Sequence, residues 1–403
     1  MTTTEAHHLS RGFHFFLWTR MLSTAGNQMV LVALGWQMYD LTASAWDLGV
    51  VGLMQFVPTV LFTIPAGQLA DRVDRRLVLT LAIAVQLFAA ALLAWGSAAG
   101  FVDRNVIFAA SVGLGVARAI QTPAQQAIVP ALVGVGDLAR AMAISTAVMK
   151  FAVVAGPAIG GFVYVGGPAI AYGVCAAVFI VSIVFALAIP KVHVARAQEP
   201  VSLATVFAGF AYVGKQPVVL GAISLDLFAV VLGGVTALLP IYAKDILQTG
   251  PWGLGLLRAA PAVGALFMAI ALARRPLSRH VGRWLFAAVA IYGVSIIAFA
   301  FSTDFVLTMA ALALGGAADL VSVVVRQTLV QLETPDEMRG RVSAVNATFI
   351  STSNQLGEFR AGAIAAWLGP IGSALVGGVG TLIVVALWIR LFPQLARRDK
   401  LVP

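Results

Sequence analysis

Charge is scarce in this sequence. Of its 403 residues 11% are charged and 60% are hydrophobic. A soluble protein of this size would need far more polar surface to cover its core. Cysteine is scarcer still. Cys175 is the single one, and it sits in an apolar run, so no disulfide framework can form. No G-x-x-x-x-G-K-S/T run occurs, which leaves no ATP site. The histidines lack metal-ligand spacing, and His7 and His8 lie together on the N-terminal tail. The Gly113–Gly115 pair falls inside an apolar run and reads as packing. These absences argue against an enzyme, a metal centre or a cofactor.

What is abundant is apolar length. The mean hydropathy is +0.94. Apolar runs of about 20 residues recur from end to end, and that length crosses a bilayer as a helix. Backbone facing lipid must satisfy its own hydrogen bonds, which favours helices. The first run, about 13–39, is too long for a signal-peptide core and has no small-residue cleavage site after it. The runs predict an all-α membrane protein of twelve transmembrane helices. They fall at about 12–39, 46–70, 77–99, 105–131, 138–166, 168–190, 217–243, 252–274, 283–302, 305–332, 338–366 and 371–392.

The positive charge tests this count. With the N-terminus inside, the cytoplasmic connections carry Arg72, Arg75, Arg76, Arg140, Lys191, Arg196, Lys215, Arg274, Arg275, Arg279, Arg283, Arg339 and Arg341. The termini add Arg11, Arg397, Arg398 and Lys400, against Arg104 and Lys244 on the other side. Basic residues concentrate on the cytoplasmic side of membrane proteins, so both termini are expected there. The same rule accounts for the net charge of +9 without nucleic acid. The longest connection, 191–216, reads as a cytoplasmic linker, with 201–212 as an interfacial helix or an early start to span seven. It divides the chain into six-helix bundles at 1–190 and 217–403. The halves echo each other faintly, as parallel repeats do, with a substrate path expected between them.

One connection is unlike the rest. GQLADRVDRR, residues 67–76, gathers Asp71, Arg72, Asp74, Arg75 and Arg76 between spans two and three. Its arginines suffice to hold the turn inside, but topology needs neither the aspartates nor Gly67. An Asp at a helix end accepts backbone N–H groups or pairs with Arg. Such contacts can hold one conformation and break in another. GQLADRVDRR resembles the signature G-x-L-a-D-R-x-G-R-R/K of the major facilitator superfamily, with Asp74 where Gly is usual. RAIQTPAQ, from Arg118, resembles that superfamily's span-four signature. AGPAIGG, residues 155–161, resembles the span-five motif of its exporters. ETPDEMRGRVSA and NQLGEFRAGAIAAWLGP resemble the branch of enterobactin exporters and macrolide-efflux-like proteins.

The resemblance implies alternating access by two rocking bundles. It implies that Gly67, Asp71, Arg72, Arg75 and Arg76 form a conformational latch. Arg118 would face the central cavity and take part in coupling. Gly156, Pro157, Gly160 and Gly161 would allow close packing and a bend in span five, in a motif associated with antiport.

Charges inside spans need a reason, since each costs about 2.5–3.5 kcal/mol at mid-bilayer on insertion scales. They are Arg20, Arg118, Lys150, Asp226, Arg258, Asp319, Arg326, Glu358 and Arg360. Arg258 and Arg360 lie near outer ends and can snorkel. Helical spacing groups the others with polar neighbours: Arg20, Thr24 and Asn27; Arg118, Gln121 and Gln125; Asp319, Ser322 and Arg326; Ser351, Asn354 and Glu358. Polar stripes on apolar helices face a cavity or another helix. Arg20, Asn27, Gln121, Gln125, Arg326 and Asn354 are therefore cavity or substrate candidates. A proton carrier must be neutral in one state and charged in another, which burial allows a carboxyl to be. Asp319 ranks first by depth, then Asp226 and Glu358. Arg326 is seven residues from Asp319 on the same face, too far for direct pairing, so an Arg from another span is the expected partner. The bases outnumber the acids, which favours anionic or phenolic substrates.

The sequence thus predicts a monomeric, multi-pass transporter of the bacterial inner membrane. Its partners are protons, the lipid bilayer and a small amphiphilic molecule, a siderophore or a lipophilic drug, exported by proton antiport. A lipid or lysophospholipid flippase on the same fold is the alternative. A non-transporting membrane sensor or scaffold would show soluble extensions or long loops.

Overall fold

The computed structural model describes residues 10–191, 210–277 and 279–399, apart from the side chains of Ile64, Ala70, Asp71, Val135, Asp336 and Ala344. Among the described residues there is helix and no strand. The helices are α1 (Arg11–Thr42), α2 (Ala45–Arg72), α3 (Arg75–Ala99), α4 (Arg104–Leu132), α5 (Leu138–Tyr164) and α6 (Pro168–Ala188), then α7 (Pro217–Gly233), α8 (Gly250–Arg274), α9 (Val281–Phe301), α10 (Phe305–Leu332), α11 (Asp336–Leu391) and the short α12 (Pro393–Ala396). After α7 the chain continues through 3₁₀, α and π turns to Ile246.

Ten helical runs among the described residues are long and apolar enough to cross a membrane. The count differs from twelve at two places. α1 is 32 residues long, but it carries Arg20, Asn27 and Gln28 and falls outside the ten. The run 337–391 counts once, yet Gly369 (φ 73, ψ 169) breaks α11 into two limbs ahead of Pro370. That conformation favours glycine, and the ring of Pro370 cannot continue the hydrogen-bond ladder.

Helix starts follow local chemistry. Asp103 caps α4 by accepting from the Val106 N–H at 2.9 Å, and Asp304 caps α10 by accepting from Leu307 at 2.8 Å. A side-chain oxygen there satisfies one of the amides that a helix start leaves unpaired.

The chain divides into two compact units. One comprises Met1–Leu34 and Val57–Val201, the other Gly35–Phe56 and Ser202–Pro403. In the first, α3 packs against α4 and α6. In the second, α7 packs on α11, α8 on α10, and α9 on both α10 and α11. The α1–α2 corner belongs to this second unit. A Cβ on Gly49 would lie 2.9 Å from the Phe359 carbonyl, so the two backbones touch. The expected linker falls mostly outside the described residues, which resume as helix at 210–215.

Large side chains are widely exposed, among them Phe88, Trp95, Phe267 and Val306. Such a surface suits hydrocarbon.

Candidate substrate and coupling sites

In the first unit, polar groups meet at the centre of the helices. Gln86 of α3 donates to Gln121 of α4 at 2.9 Å, and Gln121 donates to Ser23 of α1 at 2.9 Å. Arg20, one turn before Ser23, donates to Ser145 of α5 and to the Met149 sulfur. The Gln86 Oε1, Gln125 Nε2 and Arg20 Nε atoms are buried without a hydrogen-bond partner. The cluster is rich in donors and contains no acid. It gathers the predicted Arg20 and Gln121 but replaces Thr24 with Ser23. Asn27 and Gln125 are half-buried, and Arg118 and Lys150 are exposed. Sequence reasoning passed over Gln86, Ser145 and Met149. Gln86 had a signal, as a lone amide deep in an apolar run.

The glycines of α5 set its distance from α1. A Cβ on Gly156 would lie 2.7 Å from the Gln28 Cβ, and one on Gly160 would lie 2.7 Å from the Met29 Cα. Pro157 and Gly161 are buried with them. Removing the side chain is what allows two backbones to approach so closely.

The turn 72–76 combines one local cap with ties to distant helix ends. Asp74 accepts from the Arg76 N–H at 3.0 Å and so caps α3. That is a role the usual Gly cannot fill. Arg75 donates to the Ala127 carbonyl at 2.8 Å, and Arg76 to those of Leu187 and Ile189. Arg72 is exposed. A Cβ on Gly67 would meet nothing within 4 Å. Asp71 lies in the last turn of α2, and its side chain is outside those described.

The second unit holds the three acids expected inside spans, Asp226, Asp319 and Glu358. Asp226 of α7 pairs with Arg326 of α10 at 3.3 Å, both buried. Arg326 also donates to Asn346 of α11 at 2.6 Å. This joins three helices through one guanidinium. Nearby, a cavity of about 160 Å³ is lined by Asp319, Glu358, Asn354, Tyr292, Ser295 and Thr236, among others. Among the described residues no Lys or Arg lines it. Its floor is where α8 meets α10: a Cβ on Gly316 would strike the Pro261 carbonyl, and one on Gly264 the Ala313 carbonyl. Glu358 lies beside Gly52, whose added Cβ would be 3.1 Å from Oε2. Glu358 is also within electrostatic reach of Arg258. Tyr292 is within reach of Asp319, Asp226 and Arg360.

One expectation changes. Arg360, expected to snorkel, donates to the carbonyls of Gly234 at 2.9 Å and Ser373 at 3.3 Å, inside the unit. Arg326, too far along its helix to pair with Asp319, pairs with Asp226. Sequence reasoning missed Tyr292, Ser295, Thr236 and Asn346, which have ordinary neighbours in sequence and are brought together by packing.

A model of transmembrane secretion effectors matches residues 4–401. The chain belongs to that family. It is a branch of the major facilitator superfamily close to siderophore exporters. Enterobactin exporters EntS of Escherichia coli O1:K1 and of Escherichia fergusonii are 26% identical over 379 residues, covering 94% of this chain and 91% of theirs. Among solved structures, the nucleoside transporter NupG, in a point-mutant form, is similar with a TM-score of 0.76 and 13% identity, covering 95% of this chain and 100% of that one. A bacterial homologue of the iron transporter ferroportin has a TM-score of 0.72 and 19% identity, covering 97% and 100%. These structures share the fold. The secretion-effector relatives are transporters rather than enzymes, and this chain is a multi-pass transporter of the bacterial inner membrane.

Proposed function

We propose that the protein is a proton-driven antiporter that exports a small amphiphilic molecule, a siderophore or a lipophilic drug, by alternating access. In this reading the chain crosses the membrane twelve times, with both termini cytoplasmic. The bundles are 1–190 and 217–403, joined by a linker at 191–216. The observation that carries it is the position of Asp319 and Glu358 on one cavity with Asn354. At about 160 Å³ the cavity has room for several waters. It is smaller than the roughly 300–1,000 Å³ of drug-sized pockets. Its size and its acids suit protons rather than the substrate. Asp319 is the carrier, because it lines this cavity and lies near the middle of α10. The substrate is met by the donor-rich groups Arg20, Gln86 and Gln121, which suit an anionic or phenolic molecule. Similarity to the enterobactin exporters supports export and a siderophore-like cargo.

The experiment uses inside-out proteoliposomes with an acid lumen, followed for uptake of a catecholate siderophore and a lipophilic cationic drug in parallel. Gradient-dependent uptake of either supports proton antiport, and the preferred one fixes the meaning of the donor cluster. Folded protein that moves neither points to the lipid-flippase reading.

A further inference from the structure

The connection between α8 and α9 reads RRPLSRHVGR, residues 274–283, and carries no acid. It echoes GQLADRVDRR of the first half. There, Asp74 caps the following helix α3, and Arg75 reaches the last turns of α4. α9 begins differently. Its N-cap, His280, is in the left-handed region (φ 57, ψ 37) and makes no side-chain cap. Helix-start amides need partners from outside the helix. Here they come from 119 positions along the chain. The Asp399 carboxylate accepts from the His280 N–H at 3.0 Å. The Asp399 carbonyl accepts from Val281 at 3.2 Å, and the Arg398 carbonyl from Gly282 at 2.9 Å.

The same segment ties a second helix. Arg398 pairs with Glu333 at 2.5 Å, and Glu333 is the C-cap of α10. The Glu333 carbonyl also accepts from the Tyr212 hydroxyl at 3.2 Å, near the end of the linker. Leu395 is fully buried in one cluster with Val281, Leu285 and Leu329. Gly282 has no room for a side chain, since a Cβ would strike the Leu395 carbonyl. Phe392 covers Gly221 of α7, whose Cβ would lie 2.8 Å from the ring. The segment is therefore seated in the unit rather than laid over it.

We propose that Phe392–Asp399 is a conformational strap. It supplies, from a distant part of the chain, the acid and the arginine tie that Asp74 and Arg75 supply locally in the first half. It couples the start of α9 to the end of α10, and because adjacent residues make the two ties, loosening one loosens the other.

Hydrogen–deuterium exchange on the purified full chain in lipid nanodiscs tests this. Asp399→Ala is expected to speed exchange of amides 280–282 by tenfold or more. It also speeds amides 329–333 several-fold, although they do not touch Asp399. Asp399→Asn, which keeps a good cap acceptor, leaves both near wild type. Arg398→Ala speeds both regions from the other side. Unchanged exchange across α3 shows that each variant is folded. If Asp399→Ala does not fold, Arg398→Ala alone makes the comparison. An increase confined to the region next to the substituted residue would overturn the strap and leave a simple helix cap. Fast exchange of 280–282 in the wild type would overturn it too.

Discussion

Asp226 on α7 and Arg326 on α10 form an ion pair at 3.3 Å, with 7% and 1% of their side chains exposed. A buried pair is strongly destabilising to break from one side, because the remaining charge has no solvent to turn to. Of the three acids expected inside spans, Asp226 is held by this guanidinium, and Asp319 and Glu358 line a cavity.

Arg326→Met should therefore destabilise the protein by about 3–5 kcal/mol. Adding Asp226→Leu should recover most of that loss, since an apolar pair of similar volume is tolerated. Apparent melting temperatures in detergent would check it. A double variant as unstable as the single one would mean that Arg326 acts mainly through Asn346.

Asp319→Asn should abolish gradient-driven uptake in proteoliposomes while leaving equilibrium substrate binding within about twofold. The amide keeps the shape but cannot exchange a proton at working pH. Normal response to the pH gradient in this variant would remove Asp319 as carrier.

The glycines fall into two classes with opposite expectations. Gly160→Val puts a branched side chain where even a Cβ would be 2.7 Å from the Met29 Cα. Overpacking of this kind costs about 1–3 kcal/mol or more, so less folded protein should be recovered. Gly67→Ala meets nothing within 4 Å and should fold normally. A loss of turnover in Gly67→Ala would then report on the moving parts of the cycle. Size-exclusion yield and initial transport rate separate the two.

Asp71→Asn should slow turnover without reducing folded protein, given its place in the last turn of α2. Unchanged initial rates would reduce the motif to a topology signal.

Gln86→Leu should remove a donor to Gln121 and cost about 1 kcal/mol. It should weaken binding of an anionic substrate more than that of a cationic one, if the cluster reads the cargo. Equal effects on both, measured by competition, would make Gln86 interhelical packing only.

The sequence by itself determined the class of protein. Apolar runs as long as a bilayer is thick leave little choice but helix, because lipid offers no partner to backbone groups. It also yielded the superfamily, because GQLADRVDRR and AGPAIGG are short strings that can be matched without knowing what they pack against. Asp74 capping α3 is local, but the meeting of Gly156 with Gln28 of α1 is tertiary. The apolar runs of the sequence number twelve, whereas ten helical runs among the described residues are long and apolar enough to cross, since α1 carries Arg20, Asn27 and Gln28 and α11 runs on through its break at Gly369. Partners across helices could not be read at all. Periodicity places Arg326 and Asp319 on one face but cannot say which neighbouring helix brings a carboxylate, and it was Asp226 that came. Tyr292, Ser295 and Thr236 have unremarkable surroundings in sequence and share a cavity because α7, α9, α10 and α11 cross there. Asp399 caps a helix that starts 119 residues earlier. Such pairings depend on how helices pack, and packing is decided by the whole set of side chains at once.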